Sequence, residues 1–201
     1  MSDDNVERAM RSDAPPTTAV HQRDVAKEAA EARGWDEAAV VGRTVLINRP
    51  RAELYAFWRD FRNLATFMEN VESVTPGDGR TSHWVIKAPA GKTVEWDSIL
   101  VEDIEGELIA WESAEGADVK NTGRIEFRDN TAGRGTELSA TIVYDPPAGE
   151  IGKLIAKLFQ KEPKIQARRE LRRFKQLMET GEVSTSEAPF AAPRGGSHAK
   201  G

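Results

Sequence analysis

Three histidines, no cysteine and a scatter of acidic pairs are what this chain offers for ionic or nucleophilic chemistry. His21 and His198 fall in polar terminal stretches. His83 opens a strand-like run in the phase opposite Trp84, the position of a surface or hydrogen-bonded imidazole. No Ser/His/Asp grouping can be assembled around it. The absence of cysteine removes disulfides, thiol nucleophiles and thiolate metal sites. Glu95 and Asp97 flank Trp96 and so share one face of a strand, where solvation explains them. Neither they nor Glu102-Asp103 have the spacing of a carboxylate metal site. The glycines sit in turns and not at a strand-to-helix junction, so there is no phosphate cradle. These residues give no catalytic group and no metal site, and no cofactor is expected.

The aromatic residues are better organised. Six strand-like runs follow Val71, separated by turn candidates such as Pro76-Gly77-Asp78-Gly79 and Ala132-Gly133-Arg134-Gly135. In each run one phase is apolar. Trp84 and Ile86 share a side, as do Trp96 and Ser98. Trp111, Phe127, and then Ala140, Ile142 and Tyr144 occupy the same phase in later runs. The opposite phase is often charged, as at Arg124, Glu126 and Arg128. Such strands belong to a sheet with one wet face, and their short connections make it antiparallel.

Something must cover the apolar face. Residues Ile151, Leu154, Ile155, Leu158 and Phe159 recur at helical spacing, and Pro163 suits the first turn of a second helix. Ile165, Ala167, Leu171, Phe174 and Met178 continue the stripe to Gly181, a C-cap. Burial of Leu154, Ile155, Leu158 and Phe159 contributes about 1.5–3 kcal/mol each. Ahead of the six runs, VGRTVLINRP reads as a first strand ended by Pro50. Two short helices follow, RAELYAFWRDF and NLATFMENV, the second placing Leu64, Phe67 and Met68 on one side. The expected architecture is α+β: a curved antiparallel sheet of about seven strands around a long C-terminal helix. A ligand space lies between them, touched by Phe67, Trp84, Ile86, Trp96, Ser98, Trp111, Phe127, Ala140, Ile142, Tyr144, Leu158 and Phe174. Apolar walls with a few polar groups suit a small-molecule cavity, although the same side chains would also fill an ordinary core.

Residues 1–40 read as a flexible N-terminal extension, disordered to residue 20, with a short helix over 21–33 whose apolar face is only Val25 and alanines. The folded domain spans 41–182, and 183–201 form a disordered tail. Nothing resembles a secretory signal or a membrane span, which fits a cytoplasmic location. The net charge of −5 is uneven. Residues 147–201 carry eleven basic and six acidic side chains, so a basic helical end sits on an acidic body. The lysines of IGKLIAKLFQK suit either a solvated face or peripheral contact with an anionic membrane. The arginine cluster at 168, 169, 172 and 173 lacks aromatic interleaving, so no nucleic-acid partner is expected. The sequence leaves the oligomeric state open.

Three passages resemble a known family. They are Val45-Leu46-Ile47-Asn48-Arg49-Pro50 running into Glu53-Leu54-Tyr55-Ala56-Phe57-Trp58-Arg59-Asp60, then Asn121-Thr122-Gly123-Arg124-Ile125-Glu126-Phe127, then Tyr144-Asp145-Pro146-Pro147-Ala148-Gly149. The last is followed by Gly152, by Leu171-Arg172-Arg173-Phe174-Lys175 and by Glu179-Thr180-Gly181. Their order is similar to that of the START-like, helix-grip (SRPBCC) superfamily, in its polyketide cyclase/dehydrase and coenzyme Q-binding branch. The resemblance implies a helix-grip fold over residues 41–182 that holds a hydrophobic small molecule such as a lipid, isoprenoid quinone or polyketide. Binding or transport without chemistry is the expected function. One alternative is a cyclase or dehydratase using Tyr144, Arg124 or Asp97; another is a membrane-peripheral or stress-related interaction protein.

Overall fold

The computed structural model describes residues 16–35, 39–145, 149–150, 152–153 and 163–183. Leu158, the rest of the 154–162 segment, residues 1–15 and the tail from 184 lie outside the described residues. Helix α1 (Pro16–Glu31) precedes β1 (Ala39–Ile47), α2 (Arg51–Arg59) and a 3-10 helix (Phe61–Thr66). Then come β2 (Val71–Pro76), β3 (Thr81–Ala88), β4 (Lys92–Ile104), β5 (Leu108–Ser113), β6 (Lys120–Asp129), β7 (Thr136–Asp145) and α3 (Pro163–Thr180). The strands form one seven-stranded antiparallel sheet, ordered β1-β7-β6-β5-β4-β3-β2. Strands β2 to β7 are a meander, and β1 closes onto β7 with Val45 opposite Leu138. The result is the helix-grip architecture: a curled sheet with α3 on its inner side.

Period-two burial explains the grip. Ile109, Ile125, Phe127 and Leu138 on the inner face are at most 1% exposed. Leu171, Phe174 and Met178 of α3 join them, with Leu54 and Trp58 of α2 and Phe67 beyond the 3-10 helix. Phe174 is the wedge. Its ring centroid lies 4.9 Å from both Trp58 and Phe67 and 5.8 Å from Phe57. The C-terminal end of α3 is tied by Arg49, which donates from Nε to the Met178 carbonyl (2.6 Å) and from Nη2 to that of Glu179 (3.0 Å). These are helix-end carbonyls with no partner inside the helix, and a guanidinium is suited to them. Glu69 takes ion pairs from Arg169 and Arg173 on the same helix.

Local features differ from the sequence expectation in three places. Helix α2 stops at Arg59, because Asp60 leaves helical backbone angles and accepts from the Arg62 amide (3.3 Å). The second helix is a 3-10 turn ending at Thr66; Phe67 N–H bonds the Leu64 carbonyl in the tighter i to i+3 pattern. The N-terminal helix starts at Pro16, inside the stretch expected to be disordered. It lies against β1 and β7 on the outer side of the sheet, with Ala26 1% exposed. Alanines suffice there because the sheet offers small side chains in return, Ala110 and Val143. Arg33, just past the helix, donates to Glu112 at 2.8 Å.

A bulge in β4 between Leu100 and Glu102 shifts the strand's phase. It brings Asp103 to α2, where it accepts from the Tyr55 hydroxyl and from Arg59 Nε (2.7 Å). Burial, the Asp103 hydrogen bond and its charge together push the Tyr55 phenol up to about 12. At the β6–β7 turn Gly135 has a positive φ of 77°, and a Cβ there would stand 2.1 Å from the Ile47 carbonyl oxygen. Only glycine fits.

Replacing the wedge tests the grip. Phe174→Ala removes a fully buried ring from a cluster of three others, and a loss of about 3–5 kcal/mol in unfolding free energy is expected by denaturant titration.

Candidate functional site

A cavity of about 120 Å³ opens between the inner face and α3. Its floor is Trp84 and Ile86 from β3, Trp96 from β4, Trp111 from β5, and Ile142 and Tyr144 from β7. These are in-phase residues of strands that the curl brings together. Met68, Asn70 and Val71 come from the segment entering β2, Val119 and Asn121 from the start of β6, and Glu170 from α3. Trp84, Trp111, Asn121 and Tyr144 are buried, whereas Met68, Asn70, Trp96 and Glu170 are partly exposed and form the rim.

The indoles are held in parallel. Trp84 is 5° from the plane of Trp96, with centroids 6.3 Å apart, and 17° from Trp111 at 6.2 Å. Direct cross-strand pairing explains the first contact, because Trp84 is opposite Trp96. Two hydroxyls fix the rings: Trp84 Nε1 donates to Ser82 (2.9 Å) and Trp96 Nε1 to Ser98 (3.1 Å). Trp111 leans over β6 because residue 123 is glycine; a Cβ there would sit 2.1 Å from its Cζ2. Thr122 clamps the same residue from behind, its hydroxyl donating to the Trp111 carbonyl at 2.9 Å.

Of the sequence-derived set, Trp84, Ile86, Trp96, Trp111, Ile142 and Tyr144 border this cavity. Phe67, Phe127 and Phe174 do not: they lie 0–1% exposed against α2, Phe67 and Phe174 on Trp58 and Phe127 on Tyr55. Phe127 shares the inner phase of its strand, and all three sit at the end of the sheet that α2 and the 3-10 helix fill. Ala140 packs against the same core, Ser98 acts only behind Trp96, and Leu158 is outside the described residues. Sequence reasoning missed Met68, Asn70, Val71, Val119, Asn121 and Glu170. Asn121 could have been found, because it shares the phase of Gly123, Ile125 and Phe127.

Ionisable groups are divided by the sheet. Asp97 is on the outer side, hydrogen-bonded to His83 Nδ1 at 2.8 Å, and this bond holds the His83 pKa above its ordinary value. Arg124 is also on the outer side, donating to Glu102 at 3.2 Å. It borders a second cleft, about 210 Å³, between α1 and the sheet, where its charge and that of Arg33 are matched by Glu102 and Glu112. On the inner cavity stand Tyr144, whose phenol is pushed up by burial, and Glu170. Among the described residues no cluster of His, Asp and Glu could hold a metal ion. No helix among them is long and apolar enough to cross a membrane.

The close approach at Gly123 makes a prediction. Gly123→Ala drives Trp111 off β6 and into the cavity, as overpacking of this kind costs about 1–3 kcal/mol. The expected result is an altered near-UV circular dichroism spectrum with an unchanged far-UV spectrum; identical near-UV bands would contradict this geometry.

Comparison with known proteins agrees with the geometry. A family model described as polyketide cyclase / dehydrase and lipid transport matches residues 38–179. The crystal structure of DR_A0006 from Deinococcus radiodurans is similar, with 36% identity and a TM-score of 0.59, over 72% of this chain and 100% of that one. TTHA0849 from Thermus thermophilus shares 24% identity with a TM-score of 0.55, over 69% of this chain and 95% of its own. The ZhuI aromatase/cyclase from Streptomyces sp. R1128 shares 17% identity with a TM-score of 0.54, over 74% and 100%. The last two likenesses bear on fold alone. No curated protein matches the chain. With a match spanning β1 to α3 and the helix-grip architecture in place, this chain belongs to the polyketide cyclase/dehydrase and lipid transport family.

Proposed function

We propose that the protein binds or carries a hydrophobic small molecule in the cavity between the sheet and α3 and performs no chemistry on it. The observation that carries this reading is the wall of three parallel indoles around an open-sided space. Large aromatic side chains left beside a cavity, with a few polar groups at its edge, are the make-up of a small-molecule site. The cavity volume, about 120 Å³, is below the ~300–1,000 Å³ of drug-sized sites. It therefore seats one ring or chain end, and the remainder of a lipid, isoprenoid or polyketide-like ligand extends past the rim. The family description, which joins cyclases with lipid transport, supports the same class of ligand.

A catalytic reading draws on the aromatase/cyclase among the structural neighbours. Of its three alternative groups, Arg124 and Asp97 face away from the cavity, and Tyr144 is a phenol that burial keeps protonated. Proton abstraction asks for a base with a pKa near the working pH; none of the three is such a base facing the cavity, and the carboxylate that does border it, Glu170, stands at the rim.

Binding is tested by native mass spectrometry of protein purified from its own host. An apolar adduct of defined mass, lost on denaturation, is expected; adduct-free protein that also ignores added hydrophobic ligands would end the proposal.

A carrier of such ligands meets membranes, and α3 presents Arg168, Arg169 and Arg172 exposed to solvent. Each basic side chain near an anionic surface contributes about 1 kcal/mol. Salt-sensitive pelleting with phosphatidylserine vesicles is expected, weakened ten-fold or more by Arg168→Glu with Arg172→Glu. Absence of pelleting at low salt would remove the membrane step.

A further inference from the structure

The cavity has one charged wall, and its chemistry narrows the ligand. Two of the three indole N–H groups are already bonded to Ser82 and Ser98, so a ligand meets Trp84 and Trp96 as apolar surface. Their planes run parallel. With centroids 6.2–6.3 Å apart the rings admit nothing between them and form one apolar wall, against which a flat partner lies, whereas a compact cation is better held by walls set at angles around it. The cavity volume, about 120 Å³, approaches the ~150 Å³ of an apolar cavity that holds benzene. Glu170, half-buried on α3, reaches this space at the rim. A carboxylate accepts hydrogen bonds and cannot donate them, and its two oxygens can serve several donors at once. A partner within the protein therefore leaves it room to accept from a ligand. A purely apolar ligand laid against it would strip water from a charge and return nothing.

Resting on the binding reading above, we infer that the ligand ends in a flat ring bearing a hydroxyl, phenol-like in chemistry. The ring lies against the wall of Trp84, Trp96 and Trp111, and the hydroxyl donates to the Glu170 carboxylate. Glu170 is then the specificity-determining residue. It rejects the hydrocarbon and the methyl ether of the same ring, because neither can replace the water lost from the carboxylate. An ordinary phenol, with a pKa near that of tyrosine at about 10, keeps its proton at neutral pH and remains a donor.

The test follows the indole N–H resonances of the five tryptophans in the full chain. p-Cresol, its methyl ether, toluene and tetramethylammonium ion are titrated separately. Expected are saturable shifts with p-cresol, at a dissociation constant ten-fold or more below those of the ether and toluene. Glu170→Leu should erase that difference while toluene still binds, and Glu170→Gln, which keeps an uncharged acceptor, should retain part of it. Equal binding of p-cresol and its ether, or a preference that survives Glu170→Leu, overturns the inference and leaves the apolar cavity standing. Tetramethylammonium binding more tightly than p-cresol overturns it in favour of a cationic ligand. Silence from both toluene and p-cresol removes the binding reading itself, a result distinct from the others.

Discussion

The position of α3 depends on one ring. This helix is rich in arginine and lysine, and its stripe of Leu171, Phe174 and Met178 is narrow. Without Phe174 seated against Trp58 and Phe67, little apolar surface would hold it. The anchor lies toward the C-terminal end of the helix, where Arg49 also takes the last carbonyls. Glu170 lies one turn before Phe174. The same contact that fixes the helix therefore fixes the height of a carboxylate above the indoles. Helix position and site chemistry are one constraint, not two.

The sheet separates two kinds of surface. Its inner face is apolar and divides along its length into a filled half and an unfilled half. The filled half is closed by α2 and the 3-10 helix, and the bulge at Leu100/Glu102 turns Asp103 to bond Tyr55 and Arg59 there. The unfilled half carries the tryptophans. The outer face holds ion pairs such as Arg124–Glu102 and Arg128–Glu126, and α1 lies over part of it. The family match begins at residue 38, so α1 stands outside it. A fold shared with an aromatase/cyclase says little about reaction, because one scaffold hosts many functions. What marks this chain is the combination of three indoles, a protonated phenol and a carboxylate at the rim.

Much of the architecture can be read from the chain. Alternation along β3 to β7 gives the inner phase, and that alone places Trp84, Trp96, Trp111 and Tyr144 on it. Alternation reports which face a residue occupies, because side chains reverse direction at every step of a strand. It is silent on how far along the face a residue sits. That is why alternation groups Phe127 with the tryptophans, although it packs on Tyr55 of α2 at the closed end of the sheet. Pattern alone underrates the N-terminal helix for a related reason. The alanines look weak alone, and their value lies in the small side chains they meet on the sheet.

By itself the sequence determined the class of fold, the inward phase of the strands and the lack of cysteine chemistry, since these follow from residue type and periodicity. Only the tertiary structure decided that space is left beside the indoles, that Gly123 lets Trp111 lie across β6, and that Glu170 reaches the rim. Those depend on sheet curl and helix rotation. Both arise from the packing of residues far apart in the chain, which no local pattern encodes.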